Sequence, residues 1–226
     1  MQLDEVKSLL ASDNPQQRMK AITALRQYEE TIAVPLLTSQ MNDPEFIIRS
    51  FAVIGLGHKR TPEAFEALVH VLQFERDPNV RSEAASSLSR YGKPALPYLM
   101  KASETDDHWL MQLSLLAVIA EFDCPDAHYA LCTRALEHMD PVVQCVGVEH
   151  LGYLRDSVRH EDALEILLVA AESDNWLLRK QAAIALGPFK ESSAQKAVLR
   201  LRQDKDYRVI AATLEGLLQD SSQLDA

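Results

Sequence analysis

The sequence predicts an all-α chain, a solenoid made from one helix pair repeated about seven times. Three observations carry that prediction. The stretch DNWLLRKQAAIALG at 174–187 starts with an acid suited to capping a helix. It continues with apolar residues at Leu178, Ala182, Ala183 and Leu186 and closes on Gly187, as one short amphipathic helix does. The pattern returns as DPEFIIRSFAVIGLG at 43–57, DPNVRSEAASSL at 77–88 and DPVVQCVGVEHLG at 140–152, with looser copies from Asp13, Asp107 and Asp204. An Arg or Gln just inside each copy falls at Arg18, Arg49, Arg81, Gln112, Gln144, Arg179 and Arg208, at intervals of 31, 32, 31, 32, 35 and 29.

Other positions keep step with this anchor. Three residues on stand Ala21, Ala52, Ala84, Leu115, Gly147, Ala182 and Ala211. Seven on stand Leu25, Leu56, Leu88, Ile119, Leu151 and Leu186, with the last copy slipping to Leu214. Glycine follows at 57, 152, 187 and 216, where it is expected to end helices. The small residue three after the anchor lets neighbouring helices approach toward the low end of the usual ~8–10 Å spacing. The anchor Arg can reach an acid one repeat away, forming a ladder that sets register; exposed pairs of this kind contribute about 0–1 kcal/mol each.

In chain order, first helices are expected near 3–11, 31–41, 62–74, 94–103, 125–138, 161–172 and 191–202. Pro35, Pro62, Pro94 and Pro125 are placed at or near their starts, where a missing N–H costs little. Second helices are expected near 15–28, 45–57, 78–91, 108–121, 141–154, 175–187 and 205–218. Val and Ile fall at helical spacing, so no strand is expected. The array is read as a single domain over 1–226, with frayed ends at Met1–Gln2 and 221–226.

Bulk composition narrows the function. Acids outnumber bases 33 to 23, a formal charge of −10, which argues against a surface that neutralises nucleic-acid phosphates. Apolar runs such as 113–120 and 166–171 are far too short to span a membrane, and the N-terminal residues lack the pattern of a signal peptide. Three cysteines in no scaffold-like spacing predict reduced thiols and a cytoplasmic setting.

Asp, then Val-Arg, Ala and Leu-Gly, returning near every 31 residues, resembles the HEAT repeat. The short units rich in Ala and Gly are similar to the HEAT-like repeats of phycobilisome lyases. The resemblance implies a right-handed α-solenoid of about seven HEAT-like helix pairs. It also implies a protein like the bilin lyase subunits or the phycobilisome-degradation proteins. Its partners would be phycobiliprotein subunits, acidic or mixed in charge, and its ligand a linear tetrapyrrole such as phycocyanobilin. The role would be bilin attachment, detachment or phycobilisome disassembly. Catalytic positions are not carried over, because no residue motif marks them. A cofactor-free interaction scaffold is the alternative. A third reading, the HEAT-like deoxyhypusine hydroxylase, needs repeated His-Glu pairs for two irons; this chain offers His160-Glu161 in an expected loop, and Glu149-His150 in reverse order.

Three residue sets compete as sites. Positions five, six and nine after the anchor should line the concave face, giving His58, Arg90, Glu121, Glu149, His150 and Tyr153 as ligand-binding candidates. Arg90, His58 and His150 suit propionates; Glu121 and Glu149 suit pyrrole N–H groups. The alternative is a solvated helix face with ordinary charges. Phe46, Trp109 and Trp176 share the slot three before the anchor, as a partner-binding edge or as rings stapled to the preceding helix. The two tryptophans, two repeats apart, stand on the order of 20 Å from each other and do not clamp one small ligand. Cys124, His128 and Cys132 recur every fourth residue, yet i and i+8 are about 12 Å apart along a helix, so no single metal takes all three and no metal site is assigned.

Overall fold

The computed structural model describes residues 1–222, with side chains to Leu214. Its fourteen helices form seven consecutive pairs: α1 Leu3–Leu10 and α2 Pro15–Ala24; α3 Glu30–Ser39 and α4 Phe46–Lys59; α5 Pro62–Phe74 and α6 Pro78–Ser89; α7 Leu96–Thr105 and α8 Trp109–Ile119; α9 Pro125–Leu136 and α10 Pro141–Gly152; α11 His160–Ala170 and α12 Trp176–Leu186; α13 Ser192–Leu201 and α14 Tyr207–Ser222. No strand occurs among the described residues, and the chain is an all-α solenoid. It divides into two compact units, Met1–Phe122 and Asp123–Ala226. In the first, α2, α4, α6 and α8 lie side by side in sequence order; in the second, α10, α12 and α14 do. The frayed C-terminal end expected at 221–226 lies largely outside the described residues.

The core follows the repeat. Ala21, Ala52, Ala84, Leu115 and Ala182 are fully buried, as are Leu25, Leu56, Leu88, Leu151 and Leu186. Burying a leucine contributes about 1.5–3 kcal/mol, so this one position, repeated, accounts for a large part of the array's cohesion. The last copy departs from the expected alignment. Ala211 and Leu214 face solvent and Tyr207 is exposed, while Val209, Ala212 and Thr213 are buried. The core register is therefore one residue later than the Arg208 alignment, because Arg208 does not serve as an anchor.

The other anchors do what the ladder predicted, but in buried form. Arg18 bonds both carboxylate oxygens of Asp43 at 2.6 and 2.8 Å. Arg49 does so to Glu75, and Arg179 to Asp204. Arg81 meets Asp106 at 2.7 Å. The same guanidinium also donates to two carbonyls of its own inter-helix loop, as Arg179 does to those of Ser173 and Asp174. Each Arg thus fixes its own loop and fastens the next repeat to it. Side-chain exposure at these pairs is 5–18%, so the exposed-pair expectation gives way to a shielded one. Gln112 donates to the Ser103 and Asp106 carbonyls at the end of α7, and Gln144 to that of His138.

Capping also differs in detail. Asp77 and Asp140 cap α6 and α10, as expected of the leading acid. Asp174 does not cap α12; Asn175 does, accepting from the Leu177 N–H. Asp43 lies three residues before the start of α4 and accepts the Glu45 N–H instead. Pro35 is inside α3 rather than at its start, so the Thr31 carbonyl loses its usual helical partner.

Gly57 shows why a small residue is needed. It lies inside α4, not at its end, and a Cβ there would stand 2.6 Å from the Ser87 Cβ and 3.1 Å from its Cα. Gly152 and Gly187 do close their helices, and Gly216 lies beyond the residues whose surroundings are described. Gly57→Val should therefore force α4 and α6 apart and lower the unfolding free energy by about 2–3 kcal/mol. Urea denaturation measures this, and a change within about 0.5 kcal/mol would contradict the close approach.

Candidate functional site

The candidate ligand residues other than Glu121 fall at two places, one in each unit. In the second unit the focus is His150. Gly147 lets α10 settle onto α9, since a Cβ there would meet the Ala135 Cβ at 2.8 Å. One turn later His150 meets His128, with His128 Nε2 and His150 Nδ1 2.9 Å apart. Both rings are buried, at 6% and 7% exposure, so His150 does not lie open on a helix face as the sequence reading expected. Burial, reinforced at His128 by the neighbouring ring, holds both imidazoles down to about 4. At neutral pH they are an uncharged pair sharing one hydrogen bond. Tyr153 lies against both rings, at 5.0 Å from His150 and 6.5 Å from His128. Its hydroxyl donates to Glu149 Oε1 at 2.8 Å. Burial first, then this carboxylate, pushes the phenol up to about 12. The structure thus unites Glu149, His150 and Tyr153, and adds His128.

His128 belonged to the Cys124–His128–Cys132 series. Cys124 stands at the start of α9, Cys132 is buried, and burial raises its thiol well above the usual range. Cys145 is raised for the same reason. Both thiols stay protonated at neutral pH and are poor nucleophiles. Among the described residues no group of three or more His, Cys, Asp or Glu is placed to hold a metal.

In the first unit His58, in the last turn of α4, feels the charge of Arg90, which follows α6. Both are exposed. Partial burial, then the charges of Arg90, Arg26, Arg60 and Lys59, holds the His58 imidazolium down. Arg26 and Arg60 were missed in the sequence. They lie at the ends of helices rather than in the repeating slots; Arg60 is two residues from His58 along the chain, and Arg26 reaches it because α2 packs beside α4. Glu121 does not join this group; its near neighbour is the Ser89 hydroxyl at 3.5 Å.

The aromatic slot splits. Phe46 and Trp109 remain 44% and 47% exposed, and Trp109 stacks on the capping ring of His108. Trp176 is half-buried beneath the Arg208 guanidinium, 3.3 Å from its ring centre. That contact explains the slipped anchor, since Arg208 covers the indole and pairs with Asp206. His160 opens α11 rather than lying in a loop. Its partners are the Arg155 carbonyl and, at 2.8 Å, Glu191, not Glu161. Those contacts, the carbonyl first, raise its pKa.

Comparison with known proteins places this geometry. A family model described as HEAT repeats matches residues 34–120 and 129–218. The structure is similar to the complex of CpcE and CpcF of phycocyanin lyase from Nostoc sp. PCC7120, with TM-score 0.53 and 22% identity, covering 97% of this chain and 88% of that one. It is also similar to YibA of Escherichia coli, with TM-score 0.65 and 17% identity, covering 94% and 80%. In sequence it is 32% identical to the deoxyhypusine hydroxylase of Rattus norvegicus over 102 residues, which are 44% of this chain and 34% of that protein. The chain thus spans about a third of the length of that relative. No helix among the described residues is long and apolar enough to cross a membrane. Because the HEAT-repeat match takes in well over half of the sequence, this protein belongs to the HEAT-repeat family.

Proposed function

We propose that this protein is a binding solenoid for a phycobiliprotein and its linear tetrapyrrole, acting in bilin attachment, detachment or phycobilisome disassembly. The observation that carries the reading is the end-to-end likeness to the phycocyanin lyase complex, which takes in 97% of this chain. The surface chemistry is compatible with it. His58 and Arg90 offer cationic and hydrogen-bonding groups of the kind that propionates take, and Glu149 offers a carboxylate for pyrrole N–H groups. Any chemistry would come from orienting the pigment beside a cysteine of the partner, since Cys132 and Cys145 are held protonated.

Mixing the protein with a chromophorylated phycobiliprotein subunit tests this. A shifted visible spectrum and a co-eluting complex on a sizing column are expected. An unchanged spectrum with no complex would remove the reading.

The sequence likeness to deoxyhypusine hydroxylase favours a second reading, an iron-dependent hydroxylase. The residues present do not fit it. His160 meets Glu191 instead of lining up in repeated His-Glu pairs, and no cluster of metal-ligating groups forms among the described residues.

A further inference from the structure

Of the seven arginines in the first unit, Arg18, Arg49 and Arg81 meet a carboxylate. Among the described residues Arg26, Arg60, Arg76 and Arg90 form no ion pair, although the chain carries ten more acids than bases. The charges of Arg26, Arg60 and Arg90 all act on His58, and the half-buried Glu83, which feels the Arg90 charge, forms no ion pair. Unpaired cations gathered on an acidic chain make a local field that attracts an anion.

Two features hold the group in place. The Lys59 ammonium donates to the Arg26 carbonyl at 3.1 Å and to that of Tyr28, which ties the turn after α2 to the end of α4. Arg60 follows with φ +51° and ψ +34°, the left-handed conformation in which a helix usually ends on glycine. A side chain there costs about 1 kcal/mol. The fold tolerates that cost two residues after His58, where the Arg60 charge acts on the ring.

Beneath the cations is a cavity of about 160 Å³. Ile22, Leu37, Phe51 and Ile54 form its apolar wall, while Arg26 and His58 stand at its mouth. A void of roughly 150 Å³ is enough to hold benzene. A bare inorganic anion would need the cations but not this wall.

We propose that the cavity bounded by Ile22, Phe51 and Ile54, with Arg26 and His58 at its mouth and the Arg90 charge acting on that mouth, binds a small ring or short alkyl arm that ends in a carboxylate. The apolar part enters the cavity and the carboxylate stays beside Arg26 and His58. The inference is independent of the pigment reading. A propionate arm on a pyrrole ring is one such group, and any acid of this shape would serve.

Calorimetric titration of the full chain at low salt with 3-phenylpropionate tests it, with the neutral 3-phenylpropionamide and inorganic phosphate as comparisons. The acid is expected to bind at least about tenfold tighter than either. Arg26→Gln and Arg90→Gln should each weaken it about tenfold, since both side chains are exposed and the fold does not depend on them. Ile54→Trp should abolish binding by filling the cavity while the cations remain. Amide and acid of equal affinity, or unchanged binding in both arginine variants, would overturn the proposal. So would phosphate binding as tightly as the acid, which would reveal a bare cationic patch. Whatever happens with a phycobiliprotein, this titration gives its own answer.

Discussion

Arg179→Met is expected to lower the unfolding free energy by about 2–3 kcal/mol, the largest single-residue effect on the second unit. Arg179 and Asp204 retain 7% and 9% side-chain exposure, and two bonds of 2.7 and 2.8 Å join them. Methionine keeps much of the volume and removes the charge. Asp204 would then lie shielded beside Asp206 with no cation, and the Ser173 and Asp174 carbonyls would lose their donor. Removing one partner of an enclosed pair costs about 3–5 kcal/mol. The smaller figure allows for the edge of this pair that still meets water. Urea denaturation of the variant measures the loss. The same linkage gives a pH dependence. The Arg179 bond first, then the Asp206 N–H and the Arg179 charge, holds Asp204 below the usual carboxylate range. Its contribution is present above the unfolded value and is lost as pH falls through the folded one. In Arg179→Met that acid-range loss should shrink.

The ladder was legible in the sequence because it repeats: an Arg and an acid about 25 residues apart return at 18 and 43, 81 and 106, and 179 and 204. Helix limits were legible for the same reason, most to within two residues. What failed was local. Arg208 resembles an anchor in residue type, but its guanidinium goes to Trp176 and Asp206, and the core passes to Val209. Asp174 resembles a cap, but the next residue takes that bond. The site was less legible than the fold. His128 and His150 are 22 residues apart, and their meeting depends on how deeply Gly147 lets α10 approach α9. Arg26 and Arg60 sit in turns whose geometry no periodicity encodes.

That histidine pair carries the second large effect. Both rings titrate near 4 in the folded chain and at about 6.5 when unfolded. Between those values the unfolded chain binds more protons. Stability is therefore full above about pH 6.5 and falls as pH drops toward 4. After allowing for partial solvent access, the loss between pH 7 and pH 5 is on the order of 2 kcal/mol. His160 acts oppositely, since its raised pKa adds stability at low pH that is lost as pH rises through its folded value. A double variant, His128→Gln with His150→Asn, keeps a hydrogen bond where the ring nitrogens met and leaves His160 alone. Its urea midpoint should change less between pH 7 and pH 5 than that of the wild type. Equal pH slopes would contradict a neutral buried pair.

The central claim is that this array recognises a pigment-bearing protein through its surface. The most direct measurement is its affinity for one phycobiliprotein subunit, compared with and without the attached bilin. The account predicts at least about tenfold tighter binding to one of the two forms. Equal affinities, or no binding to either, would contradict it.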